Sequence, residues 1–297
     1  MAIERSFSLL LLRLLGRLPL GVLQRLGALL GWGVYLASPR YRARLRDNLA
    51  ASGVCEDRAA FRRCLRANIA HTGKSVIELA AVWTRQPKAV YQLTRELQGW
   101  SHLVAAQAAG KGMILLTPHL GNYEVVAGYI SAHYPLTGLY RPSKQAWVER
   151  LIQVGRGREA VKLAPADSGG VRQLLSALRR NEGVVILPDQ VPGVGEGVWA
   201  DFFGRPAYTM SLVPRLAEKT GAAVLLFYGE RLAHGAGFAL HCTPLTVPFT
   251  GDKITDANIV NAAICNVIRT LPEQYLWSYN RYKTPKNAST PVTADRS

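Results

Sequence analysis

MILLTPHLGNYE, residues 113–124, is the stretch on which the fold turns. Met113 to Thr117 is an unbroken apolar run of the length expected for a strand buried on both faces. Pro118 stops it, because proline has no N–H to give to a ladder. His119, a glycine at 121 and Glu124 follow. A strand that ends in a turn and enters a helix is the repeating unit of an α/β sheet, and polar groups just past its C-terminal end lie where such sheets carry their sites.

Working outward, the same alternation recurs. Short β-type runs bounded by Gly and Pro alternate with amphipathic stretches. The reading is a helix near 122–133, a strand at 137–141, a helix near 145–156, a strand near 161–164 and a helix near 170–180. It continues with a strand at 184–188, a Gly-rich loop, a helix near 209–219, strands at 223–229 and 238–245, and a last helix near 255–270. Upstream, residues 56–82 show helical spacing. The expected class is therefore α/β, a mixed, largely parallel sheet flanked by helices. No internal repeat is present.

A chain of 297 residues is long enough for one large α/β domain or two small ones. The net charge of +16 calls for an anionic partner. Residues 1–100 hold sixteen Arg and Lys against six Asp and Glu, so most of the excess is N-terminal. No nucleic-acid motif and no interleaved basic and aromatic stretch accompanies it, which points away from nucleic acid. The cysteines, Cys55, Cys64, Cys242 and Cys265, have neither zinc nor disulfide spacing and fit a reducing compartment.

Residues 7–38 are mostly apolar but are interrupted by Arg13, Arg17 and Arg25. The longest uncharged run, Leu26 to Pro39, has 14 residues, short of the roughly 18 to 20 that a spanning helix needs. On a helical wheel Arg13, Arg17 and Gln24 share a stripe, as an interfacial amphipathic helix requires, unless Pro19 breaks it. No signal-peptide cleavage site is evident, so the segment is expected to be retained. Arg40, Arg42, Arg44 and Arg46 follow at once and suit anionic headgroups on the cytoplasmic side. The domain reading is a membrane-anchoring segment at 1–50, an α/β domain at 51–283 and a disordered tail at 284–297.

The candidate chemistry lies at three strand ends. His119 and Glu124 would point about 140° apart on one continuous helix. They form a pair only if His119 sits in the turn, Gly121 allows the bend, and Glu124 reaches back to hold one imidazole nitrogen while the other acts as a base. TGLYRP places Tyr140 and Arg141 at a second strand end, and VVILPDQ places Asp189 and Gln190 at a third. Between 191 and 209 the chain packs Gly193, Gly195 and Gly197 with Trp199, Phe202 and Phe203. That segment reads either as a mobile loop whose aromatic side chains line an apolar pocket or touch lipid, or as ordinary core.

Taken together these residues resemble a family. PHLGNYE is similar to the HX4(D/E) motif of the glycerolipid acyltransferase superfamily. YRP, LPDQ, FFGRPA and the C-terminal QYLWSYNRYK, with RDNL at 46–49, resemble more narrowly the late, lauroyl/myristoyl-type acyltransferases of lipid A biosynthesis. The resemblance covers most of the chain. It implies a glycerolipid acyltransferase-like sheet, His119 as general base, Glu124 as its orienting carboxylate, and Tyr140, Arg141, Asp189 and Gln190 as substrate-binding or supporting residues.

The resemblance further implies an acyl carrier protein or acyl-CoA donor, an anionic membrane lipid acceptor (a lipid A precursor), attachment to the cytoplasmic face of the inner membrane, and no cofactor. The N-terminal segment departs from the usual family anchor in its interrupting arginines. The chain has no GxSxG elbow and no cysteine patterned with a histidine, so direct transfer is expected rather than an acyl-enzyme. Three other readings stand beside it. One is a transferase for a lysophospholipid or another lipid, and one is a non-catalytic membrane-binding protein. The third is a metal hydrolase using His119, Glu124 and Asp189, against which His234 and His241 fall on a different inferred hairpin.

Overall fold

The computed structural model describes residues 2–157, 161–286 and 288, with side chains from Leu9 onward. Four helices come first: α1 (Ala2–Gly16), α2 (Leu20–Ala37), α3 (Pro39–Ala51) and the long α4 (Arg58–Thr84). A short α5 (Pro87–Tyr91), β1 (Thr94–Gln98) and α6 (Trp100–Ala108) lead into the alternating region. That region runs β2 (Met113–Leu116), α7 (Tyr123–Ser131), β3 (Leu136–Tyr140), α8 (Ala146–Arg156), β4 (Val161–Pro165), α9 (Ser168–Arg179) and β5 (Gly183–Ile186). A hairpin of β6 (Gly197–Phe202) and β7 (Arg205–Met210) precedes α10 (Leu212–Thr220), β8 (Ala223–Arg231), β9 (Phe238–Pro244) and α11 (Lys253–Thr270).

Seven strands form one sheet in the order β1-β9-β8-β2-β5-β3-β4. Every pairing is parallel except β8 with β9, so the sheet is mixed and largely parallel, as the alternation implies. MILL is its centre. β2 lies between β5 and β8, and all four of its side chains are fully buried. Ile114 and Leu116 enter the core on one face, Met113 and Leu115 the core on the other. This is the period of two of a strand covered on both sides, and it explains why no polar residue interrupts the run.

Three features depart from the sequence expectations. Residues 197–210 form an antiparallel hairpin rather than a loop, and Phe202 and Phe203 are buried in the core with Tyr275 and Trp277, so of the two readings left open for them ordinary packing holds. With 205–210 taken by β7, the helix expected from 209 begins only at Leu212. β1, TRELQ, carries too little hydrophobic pattern to be read as a strand and is held at the sheet edge by β9.

The N-terminal stripe is also redrawn. Pro19, extended at φ −52° and ψ 144°, separates α1 from α2, so Arg13, Arg17 and Gln24 do not share one wheel. Gln24 turns inward and is 4% exposed. α2 lies against α4 along Gly27, Gly31 and Gly73, where a Cβ on Gly73 would stand 2.0 Å from the Gly27 carbonyl oxygen. Only glycine permits that approach. At 18 residues α2 is long and apolar enough to cross a membrane by length and composition, yet one face is taken by α4. Its other face exposes Val22, Leu26, Leu29 and Leu36. On α3 the alternate arginines fall about 200° apart, so Arg40 and Arg44 share one side and Arg42 and Arg46 the other.

Candidate active site

The turn after β2 is built by backbone pairing on three sides. Gly121 takes φ +59°, the left-handed region, and a Cβ there would stand 1.9 Å from the Gly229 carbonyl oxygen, so no other residue fits. The Asn122 N–H donates to that same carbonyl at 2.7 Å. Gly121 N–H donates to Gln274 and Leu276 N–H to the carbonyl of His119, at 3.0 and 3.1 Å. The Asn122 side chain then caps α7 by accepting from Val125 N–H. The QYLWSYNRYK segment thus braces the motif that it follows by some 150 residues. It is itself held by RDNL: Asn48 donates to the carbonyls of Trp277 and Tyr279, while Asn68 on α4 donates to those of Glu273 and Tyr275.

His119 is thereby fixed at the mouth of a cleft, with its side chain 12% exposed. Both ring nitrogens are occupied. Nδ1 meets Asp189 Oδ1 at 2.8 Å, and Asp189 Oδ2 accepts from the His119 backbone N–H at 3.0 Å. Nε2 meets the side-chain amide nitrogen of Gln190 at 3.0 Å. The Asp189 carboxylate only accepts, so the proton of a neutral imidazole lies on Nδ1 and leaves the lone pair on Nε2. Burial alone would push the Asp189 carboxyl up. The imidazole and two hydrogen bonds from His119 outweigh burial and hold it below the usual carboxylate range.

Glu124 does not supply that contact. Its carboxylate accepts from Arg156 at Nε (2.8 Å), closely from Nη2 as well, and from the indole N–H of Trp83 at 3.1 Å. The first turn of α7 points it away from the imidazole and toward α8 and α4. Burial would lower the Arg156 guanidinium, but Glu124 and the Tyr123 hydroxyl raise it, so it stays charged. The Tyr123 ring meets the imidazole edge-on at 4.9 Å between centroids. Tyr123 and Arg156 therefore lie between His119, with its Asp189, and Glu124, which the sequence reading pairs directly with His119.

Two cavities meet here. The larger, about 730 Å³, is lined by His119, Tyr140, Arg141, Arg156 and Gln190. The smaller is a narrow, mostly apolar cavity of about 90 Å³ behind Tyr123, Gly128, Leu139 and Leu163. Leu139, Tyr140, Arg156 and Leu187 line both and form the wall between them. Tyr140 is held in that wall by its hydroxyl, which donates to Glu149 at 3.0 Å and accepts from Gln153 at 2.7 Å. Arg141 is exposed at the cleft. All six sequence candidates thus gather at the strand ends: His119, Tyr140, Arg141 and Gln190 line the larger cavity, Asp189 is bonded to His119, and Glu124, bonded to Arg156, lies in the wall of the smaller. His241 lies elsewhere, stacked on Tyr228 and bonded to Glu230.

The residues that sequence reasoning missed are Trp83, Tyr123 and Arg156, and a buried cluster beneath the turn. Glu78 accepts from Arg231 at 2.6 and 2.7 Å, from Gln24 at 2.9 Å and from Asn122 at 2.9 Å. Arg231 also donates to the Gly121 carbonyl, to Ser75 and to Nδ1 of His71. No short motif unites these positions. A lone Glu in an apolar helical stretch, as in VIELAAV, is the one signal that would have marked Glu78 as paired.

His71 in this cluster gives a pH test. Burial, with Arg231 and Lys74 nearby, pushes its pKa down to about 3, so it is neutral in the folded chain. The unfolded chain binds that proton near pH 6.5. Between those values the unfolded state holds more protons, so stability falls as pH falls, by up to about 1.4 kcal/mol per pH unit from this group. Denaturant unfolding of wild type and His71→Gln between pH 7 and 4 should show the shallower slope in the variant. Equal slopes would remove His71 as the cause.

The comparisons with known proteins agree with this architecture. The family model for bacterial lipid A biosynthesis acyltransferases matches residues 2–284. The lipid A biosynthesis lauroyltransferase of Escherichia coli K12 is 27% identical over 271 residues, covering 90% of this chain and 87% of that protein. The palmitoleoyltransferase of the same organism is 27% identical over 279 residues, 94% of this chain and 90% of that protein. A Haemophilus influenzae lipid A biosynthesis acyltransferase is 28% identical over 199 residues, where the chain spans 61% of that relative's length. A phosphatidylinositol mannoside acyltransferase of Mycobacterium tuberculosis is 33% identical over 187 residues, 59% of this chain and 58% of that protein. With the family model matched over nearly all of its length, the chain belongs to the bacterial lipid A biosynthesis acyltransferases.

Proposed function

We propose that the cleft moves a fatty acyl group from a thioester, carried by acyl carrier protein or coenzyme A, to a hydroxyl of a lipid A precursor. The observation that carries this reading is the imidazole of His119, held by Asp189 at Nδ1 and lining the larger cavity, where only the Gln190 amide meets Nε2 among the described residues. The acceptor hydroxyl takes the place of the Gln190 amide. Nε2 removes its proton as the oxygen bonds to the thioester carbonyl carbon. The tetrahedral oxyanion faces Arg156, a charged guanidinium in the wall between the cavities, positioned by Glu124. Collapse breaks the carbon–sulfur bond, and the leaving thiolate takes the proton back from His119. The narrow apolar cavity receives the acyl chain. Glu124 thus remains part of the machinery, acting through Arg156 rather than on the base.

Membrane attachment rests on the exposed residues of α1 and α2, both packed on α4, where Leu10, Leu14, Leu26 and Leu29 are exposed and Arg13, Arg17 and Arg25 adjoin them in the sequence. Apolar side chains flanked by arginine suit an anionic leaflet and place the cleft at the cytoplasmic surface of the inner membrane. The likeness to phosphatidylinositol mannoside acyltransferases favours a second reading for the acceptor, another lipid with a free hydroxyl. A purely membrane-binding protein would have no use for an imidazole held at 2.8 Å by a buried carboxylate.

Mass spectrometry of lipids from cells with and without the gene tests the assignment. A lipid A species heavier by one acyl chain is expected only when the gene is present. The same increment on a phospholipid instead would transfer the reading to the second acceptor, and no acylated lipid in either class would reject both.

A further inference from the structure

The larger cavity carries more positive charge than its chemistry as described uses. Four arginines line it, on three helices and a strand end: Arg141 after β3, Arg156 on α8, Arg172 on α9 and Arg215 on α10. Arg156 is taken by Glu124. The guanidiniums of Arg141, Arg172 and Arg215 have no hydrogen-bond or ion-pair partner among the described residues. Two carboxylates share the lining, but both are committed to backbone N–H groups: Asp167 caps α9 through Gly170 at 2.8 Å, and Glu196 accepts from Gly193 at 2.8 Å. Three cations from three elements thus border one space without an ion-pair partner among the described residues.

A carboxylate is satisfied by a single arginine fork. Several guanidiniums arriving from different directions match a phosphate, whose oxygens point tetrahedrally and whose charge approaches two. The catalytic steps proposed for His119, Asp189 and Arg156 require none of the three. We propose that Arg172 and Arg215, with Arg141, form a phosphate-binding subsite in the cavity that His119 also lines, gripping a phosphate of one substrate while its reactive end reaches the imidazole. This rests on the acyl-transfer reading for the identity of that substrate. Both substrates of such a reaction offer the group, the donor on its pantetheine arm and the acceptor on its headgroup. In either case the subsite sets orientation by holding the charged end of a long, flexible molecule.

The test is equilibrium binding to the purified full-length chain and to the Arg172→Ala/Arg215→Ala double variant. Four probes are used: 4′-phosphopantetheine, pantetheine, a bis-phosphorylated glucosamine disaccharide lipid and its dephosphorylated form. Both arginines are exposed, so the variant should keep the wild-type circular dichroism and melting curve. Binding of at least one phosphate-bearing probe should weaken by about tenfold or more per arginine removed, with its phosphate-free counterpart unmoved. Weakening of phosphopantetheine assigns the subsite to the donor, and weakening of the phosphorylated disaccharide assigns it to the acceptor. A double variant that binds all four probes like wild type overturns the proposal, as does one that loses phosphorylated and dephosphorylated forms equally. A wild-type chain that binds phosphate in this way but transfers no acyl group would leave the subsite standing and sink the acyl-transfer reading instead.

Discussion

Acyl transfer by a His119→Ala variant is expected to fall about 10²- to 10⁴-fold in kcat, the contribution of a positioned general base, with the fold retained and some stability lost because buried Asp189 loses its Nδ1 partner. The side chain is at the cleft mouth rather than in the core, so its removal does not open a cavity in the packing. The informative comparison is between the two carboxylates. Asp189→Asn keeps the shape, but its amide can present an N–H to Nδ1, favouring the tautomer that puts the proton on Nε2 and removes the base. It should therefore approach the loss seen in His119→Ala. Glu124→Gln leaves the imidazole pair intact and weakens the hold on Arg156, so its loss should appear as reduced stabilisation of the oxyanion, without a shift in the pH dependence set by the base. Steady-state kinetics of the three variants across pH decides this. Glu124→Gln shifting the low-pH limb, which the base sets, while Asp189→Asn stays near wild type would return the orienting role to Glu124.

The second large effect is on stability. Glu78 and Arg231 are both 0% exposed and joined by two hydrogen bonds. Glu78→Ala would leave the Arg231 guanidinium buried without its counter-charge, an expected cost of about 3 to 5 kcal/mol. It would also orphan the side-chain amides of Gln24 and Asn122, which donate to the same carboxylate. Because Asn122 begins α7 immediately after the His119 turn, activity should decline before global unfolding. Urea unfolding monitored by fluorescence, beside the Glu78→Ala/Arg231→Met double variant, separates the causes. The double variant should recover a large part of the loss, since removing both charges leaves neither unpaired. A single variant as stable as wild type would mean that the ion pair carries no net weight.

These two expectations differ in how much of them the sequence contained. Strand β2 was legible because four buried apolar residues in succession, closed by proline, allow little else. His119 was legible for the same reason, since the end of a central strand is where the chain must turn and where side chains meet the cleft. Gly121 was legible as a bend, and its positive φ bears that out. Period and punctuation are local properties, and a sequence displays them directly. The hairpin at 197–210 was less so, because glycines and aromatics serve a loop, a pocket and a core hairpin equally until the partner surface is known.

The sequence by itself determined the class of the fold, the order of most of its elements, and the set of polar residues gathered at the strand ends. Tertiary structure alone decided which of them touch. Glu124 is five residues from His119 and does not hold it, while Asp189 is seventy residues away and does, because β5 lies beside β2 in the sheet and delivers its C-terminal residues to the same edge. The same holds for Glu78 and Arg231, 153 residues apart along the chain. Hydrogen bonds and ion pairs act over a few ångströms, and whether two side chains lie within that range is set by strand order and helix packing, not by their separation in the chain.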